Sequence, residues 1–138
     1  MTIPFRIRQI KTQQFAMFPE LLVNGDEVQI HSEFNFGVNH EVDDILCNTK
    51  LTYVQNENLL LTIEVQCFFS ISKEGSKLIK SQGRIEMDFL RYLGTIATGT
   101  VRGIIHTKTE NTALNPIVLP PLNLVEAIKN DFVFKHRD

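Results

Sequence analysis

The side chains with the widest chemical scope in this 138-residue chain are four histidines, two cysteines and the adjacent carboxylates Asp43 and Asp44. Catalysis by such groups needs a nucleophile, or an acid and a base, converging in one concave site. His31 falls on the polar side of an alternating segment, and His40 sits in a polar link with Glu41, Asp43 and Asp44. His106 closes a helical pattern, where its charge suits the negative end of the helix dipole, and His136 lies near the chain end. The link reads as a solvated turn, and no metal site is expected. Cys47 and Cys67 have neither a CxxC nor a paired-histidine spacing, so they form no zinc site. No GxGxxG or GxxxxGK(S/T) motif precedes a helix, and no cofactor is expected. An enzyme is the least supported class.

Charge names no partner either. The formal net charge is −2, which exerts no long-range pull on nucleic acid or anionic lipid. Arg6, Arg8 and Lys11, and again Lys73, Lys77 and Lys80, are small basic clusters without interleaved aromatics, so nucleic-acid binding is not expected. Hydrophobic content of 43% with 22% charged residues describes a globular protein, and the length suits a single domain over residues 1–138. The start, MTIPFRIRQIKTQQF, has no apolar h-region, and no window approaches a membrane span. The expectation is a cytoplasmic protein with no membrane insertion, its thiols reduced.

The elements that position these side chains show first as period-two alternation. In EVQIHSEFNFGVN the even positions Val28, Ile30, Phe34, Phe36 and Val38 are apolar. The odd positions Ile45, Cys47, Leu51 and Tyr53, and then Leu59 to Ile71, form the apolar sets of the next two segments. PFRIRQIK reads as a shorter first strand, giving four strands, and QQFAMFPELLVNGDE as an apolar loop or broken turn. NEN, residues 56–58, suits a three-residue hairpin with Asn58 left-handed. Pairing symmetric about Glu57 then sets Tyr53 opposite Leu61, Leu51 opposite Ile63 and Cys47 opposite Cys67, all facing inward. The two thiols are expected as buried neighbours without a disulfide.

After Gly83 the period becomes 3.6, and Met87, Leu90, Leu93, Ile96, Ala97, Val101, Ile104 and Ile105 mark a helix from about Met87 to Thr107, with Asp88 as a candidate N-cap. Gly94, Gly99 and Gly103 within it suggest close packing of another backbone, as at a subunit contact, with a weak helix as the alternative. Pro116, Pro120 and Pro121 make LNPIVLPPLNL an extended, stiff connection. Asn123 then caps a short helix through Val125 and Ile128 toward Asp131, with Glu126 completing a capping-box pattern.

The order of these elements, over most of the chain, resembles the SecB family of protein-export chaperones. LPPLNL is similar to a family pattern through Leu119, Pro121, Leu122, Asn123 and Leu124, and VRGII resembles the family's arginine followed by paired aliphatics, at Arg102, Ile104 and Ile105. The resemblance implies an α+β fold, a four-stranded antiparallel sheet with a long helix and a short C-terminal helix packed on one face. It also implies an ATP-independent holdase that binds unfolded or non-native polypeptide and assembles as a homo-oligomer, a dimer of dimers. The family's client groove maps onto Phe15, Phe18, Leu21 and Leu22 of the crossover on one side, and onto Ile117, Val118, Leu119 and Leu122 on the other. Two departures count against docking on the translocation motor. The polar strand face mixes Glu27, Glu33 and Glu64 with Lys50, and the chain ends KHRD rather than in the family's tail. A module of the same fold dedicated to one fixed partner, such as an antitoxin, fits the residues as well as a chaperone serving export.

Overall fold

A computed structural model describes residues 3–134. His136 and the terminal KHRD lie outside them. Four strands, β1 (Phe5–Met17), β2 (Gln29–Val38), β3 (Asp44–Gln55) and β4 (Asn58–Ile71), form one antiparallel sheet in the order β1-β4-β3-β2. Two helices follow, α1 (Lys73–Gln82) and α2 (Met87–Lys108), then the short α3 (Leu124–Ala127). A two-stranded ribbon pairs β5 (Arg84–Ile85) with β6 (Phe132–Val133).

The central hairpin has the expected register, with Cys47 opposite Cys67, Leu51 opposite Ile63 and Tyr53 opposite Leu61. The turn that sets it is different. Asn56 and Glu57 take positive φ values of 51° and 67°, and Gln55 pairs with Asn58, so the loop has two residues rather than three. Positive φ at both central positions matches the sheet twist. Leu60 is then accommodated as a bulge between the Tyr53 and Val54 pairs, which restores the register. Both cysteines are free and buried.

β1 runs well beyond the expected strand, through Phe15 to Met17. Register shifts at Arg8 and Gln13 explain why its pattern is hard to see. The residues facing the helices, Phe5, Ile7, Ile10, Thr12, Phe15 and Met17, pair in that order with Ile71, Phe69, Cys67, Val65, Ile63 and Leu61 of β4. Each bulge turns a two-residue step into three, so strict alternation is lost although the face is kept.

α2 lays Leu90, Leu93, Ala97, Val101 and Ile105 on β3 and β4, and all five are buried. Each large side chain so buried contributes about 1.5–3 kcal/mol. The Phe5 ring meets Phe69, Phe89 and Tyr92 edge-on with centroids 5.7, 5.7 and 5.5 Å away. The helix start departs from expectation. Its N-cap position is Glu86, which makes no side-chain cap, and Asp131 accepts a hydrogen bond from the Met87 amide at 2.9 Å instead of Asp88 capping it. A carboxylate remote in sequence thus caps the first turn.

Helix α1 is an addition to the expected elements. Ser72 caps it by accepting from the Gly75 amide, and Gly83 at φ 68° ends it in the left-handed conformation. α3 stops at Ala127, earlier than expected, with Asn123 accepting from the Glu126 amide as its cap. Of the three glycines of α2 only Gly94 is closely approached. A Cβ there would lie 3.1 Å from Ile128 Cδ1, whereas Gly99 and Gly103 face open space.

Candidate functional site

The crossover leaves β1 at one sheet edge and enters β2 at the other, so it must pass over the end of the β3–β4 hairpin. The Phe18 amide donates to the Leu60 carbonyl at 2.8 Å, and Pro19–Leu21 form a single 3-10 turn. Gln55 is the anchor. Its side-chain oxygen accepts from the Val23 amide at 2.8 Å, and its amide donates to the carbonyls of Val23 and Asp26 at 2.8 and 3.0 Å. Gln55 is 2% exposed, so its amide satisfies backbone groups that the irregular path would otherwise leave unpaired. With the backbone held from beneath, the side chains divide. Phe15 and Leu22 pack against the core, while Phe18, Leu21 and Val23 are exposed.

The proline-containing connection is held by a different device. Arg102 of α2 donates through Nε to the Leu119 carbonyl at 3.1 Å and through Nη2 to the Pro120 carbonyl at 3.4 Å. Asn115 donates to the His106 carbonyl at 3.0 Å, and Leu114 is fully buried. The outcome alternates along the chain, with Leu119 at 3% exposure and its neighbour Val118 at 71%. Ile117 and Leu122 are half-buried against the core. Between this segment and α2 lies a cleft of about 360 Å³ that Ile117, Val118 and Leu119 line together with Gly99, Arg102 and Gly103. The two glycines, expected as contacts for a close backbone, instead leave that side of the cleft open.

β1 and α2 run side by side in the same direction, with Phe5 against Phe89 at one end and Lys108 Nζ 5.0 Å from the Phe15 ring centroid at the other. The C-terminal end of α2 is therefore common to both segments. Lys108 reaches the crossover side, and Ile105, His106 and Thr109 line the cleft beside Ile117. Gln55 and Val23 were not among the residues expected at this surface. Gln55 had a signal, because it continues the inward odd series of Ile45, Cys47, Leu51 and Tyr53 with a polar residue.

The remaining chemical candidates are dispersed. Asn39 accepts from the amides of Asp43 and Asp44, and Arg8 pairs with Asp44 at 2.8 Å, which makes the acidic link an ordered turn. His31, His40 and His106 are exposed on three separate elements, and no group of three metal-ligating side chains occurs among the described residues. Burial pushes the Cys47 thiol up to about 12, although Thr49 beside it lowers it, and burial likewise raises Cys67. Neither is a thiolate near neutrality. The outer sheet face is mixed in charge. Lys50 lies between Glu33 on β2 and Glu64 on β4, while Arg8 and Lys11 flank the Phe68 ring at 5.3 and 5.8 Å.

No family model matches the chain, and no curated protein matches it in sequence. Among solved structures it is similar to a SecB-like chaperone of Mycobacterium tuberculosis, determined in complex with a ChAD peptide from the HigA1 antitoxin. The superposition covers 86% of this chain and 90% of that one, with a TM-score of 0.52 and 15% sequence identity. The fold is SecB-like. No helix among the described residues is long and apolar enough to cross a membrane.

Proposed function

We propose that this protein is an ATP-independent holdase that binds non-native polypeptide through a groove walled by Phe15, Phe18, Leu21 and Leu22 and by Ile117, Val118, Leu119 and Leu122. The observation that carries this reading is the exposure of Phe18, Leu21 and Val118 on backbone that buried or half-buried polar anchors hold in place. An unfolded chain offers scattered apolar side chains, so a site that accepts many sequences needs apolar surface more than aimed hydrogen-bond donors. A fixed backbone lowers the ordering cost of binding. Leu119, being buried, acts by seating Val118 at the rim.

The protein works in the cytoplasm as a homo-oligomer, a dimer of dimers, and its clients include chains bound for export. β1 supports the assembly, because this edge strand of 13 residues carries Ile7 and Ile10 exposed at 39% and 46% on the helix side of the sheet. Exposed edges of that kind invite pairing with another chain. A second reading, a module dedicated to one fixed partner, is favoured by the structural neighbour, whose bound peptide comes from an antitoxin.

The test is suppression of aggregation of several unrelated unfolded proteins, without ATP, alongside native mass. Broad suppression by a tetramer is the expected result. A monomer that suppresses none would remove the holdase reading, and activity toward a single partner would select the dedicated one.

A further inference from the structure

The outer face of the sheet divides into two halves. In one, Lys50 lies across from Glu33 on β2 and Glu64 on β4, so its charge is compensated. In the other, Arg6 and Lys11 of β1 lie across from Ser70 and Gln66, which are neutral. Neither cation forms a salt bridge among the described residues. Arg8, bulged between them, spends its charge on Asp44 at 2.8 Å, and the Ser70 hydroxyl donates to the same carboxylate at 3.2 Å. Two exposed cations therefore remain uncompensated along this edge strand.

Beside them the face is apolar. Gly37, Leu46 and Phe68 pair in a row across β2, β3 and β4. Leu46 and Phe68 are half-buried, and a Cβ at Gly37 would meet nothing within 4 Å. A cleft of about 320 Å³ lies over this row, lined also by Arg8. Arg8 and Lys11 lie over the Phe68 ring, 5.3 and 5.8 Å from its centroid, which holds both cations in place before any ligand arrives.

Charge complementarity selects an anionic occupant, and spacing selects its kind. Arg6 and Lys11 stand about 15 Å apart along the strand, farther than one small anion bridges but matched by a short extended polypeptide. A nucleic-acid base would have to displace both cations to stack on Phe68. We propose that this half of the outer face docks an acidic segment of a partner protein, in which an apolar side chain is flanked by aspartate or glutamate. The apolar side chain sits over Gly37 between Leu46 and Phe68, and the flanking carboxylates pair with Lys11 and Arg6. The positive sign of this patch is a departure from the family resemblance, like the mixed charge of the face as a whole. The surface lies on the side of the sheet away from α2, so it is independent of the holdase reading.

The chain has no tryptophan, so the indole of a probe can be excited alone. N-acetyl-Glu-Trp-Asp-Glu-amide, the neutral N-acetyl-Gln-Trp-Asn-Gln-amide and the basic N-acetyl-Lys-Trp-Lys-Lys-amide are titrated into the whole chain at low salt. The acidic probe should bind saturably and about tenfold tighter than the neutral one, the scale of two exposed charge pairs, with the basic probe weakest. Salt at about 0.5 M should shrink that preference below about threefold. Arg6→Glu with Lys11→Glu, both at exposed positions, should abolish the preference for acid and leave the urea midpoint in place. Gly37→Leu should weaken the acidic probe about fivefold by filling the cleft. Phe18→Ser with Val118→Ser, in the proposed client groove, should leave the acidic probe unchanged. Equal affinity for the acidic and neutral probes, a preference that survives the charge reversal, or loss of binding in the groove variant alone would each overturn the proposal. So would an oligouridylate binding more tightly than the acidic probe, or a native mass that doubles through this face while no probe binds. Aggregation suppression by the same variants is scored separately, so failure of the holdase reading and failure of this surface are told apart.

Discussion

The crossover and the proline-containing connection are equally apolar, and they are held in opposite ways. The crossover is pinned by one buried side chain from below, Gln55, which reads backbone donors and acceptors together. The proline segment gives up donors at Pro116, Pro120 and Pro121, and it is held by an arginine that takes only its carbonyls. Both devices satisfy irregular backbone without spending every apolar side chain on the core. The lesson is that stability and exposure sit on different residues of the same segment, which substitutions can separate.

The largest effect should come from the buried half of the proline segment. Leu119→Ala removes a side chain only 3% exposed and should cost about 2–5 kcal/mol in urea denaturation. Val118→Ala, one residue away, should stay within about 0.5 kcal/mol. Equal losses would erase the division of labour. Next, Gln55→Ala strips the crossover of three hydrogen bonds and should cost about 1–3 kcal/mol. Hydrogen exchange should show the Val23 amide opening far more often, with α2 unaffected.

Alkaline stability comes third. The ordinary thiol value is 9.0, and Cys47 is raised to about 12. Between these values the unfolded chain loses a proton that the folded chain keeps. Folded-state stability is therefore fully present below about pH 9 and declines as pH rises toward 12. Cys47→Ala should flatten that decline in denaturation curves taken across the window. A gain of stability with rising pH would contradict the burial of this thiol.

The smallest effects concern the glycines. Gly99→Ala and Gly103→Ala add a methyl group to open space and should each stabilise the helix by up to about 1 kcal/mol. Gly94→Ala, facing Ile128 Cδ1 at 3.1 Å, should forgo that gain. Identical shifts at all three would mean that α3 is not seated on Gly94.

Much of this was legible in the sequence where one physical rule acted alone. Strict alternation turned Cys47 and Cys67 inward, and the 3.6-residue period gave α2 nearly to its ends. The pairing of the two thiols followed from a turn centred on Glu57; the turn is one residue shorter than expected, and the bulge at Leu60 makes up the difference. Legibility failed where two rules overlapped. In β1 the two bulges mixed two-residue and three-residue steps, so Phe15 read as loop although it lies in a strand opposite Ile63. α1 carries few apolar residues in KEGSKLIKSQ, and its signals were the Ser72 cap, Glu74 in the first turn, Lys80 in the last and Gly83 after it. The apolar character of both candidate walls was plain from composition. Which side chains face outward was not, because Gln55 and Arg102 decide it across 32 and 17 residues of sequence.

The central claim is that the exposed residues of the two segments bind polypeptide while their buried neighbours hold the fold. Affinity for an unfolded, apolar-rich chain should therefore be measured for Phe18→Ser, Leu21→Ser and Val118→Ser combined, with the urea midpoint taken on the same preparation. The account predicts binding weakened at least about tenfold, the scale of a few lost apolar contacts, at a midpoint close to that of the parent. Unchanged affinity, or a loss of affinity matched by a collapse of the midpoint, would contradict it.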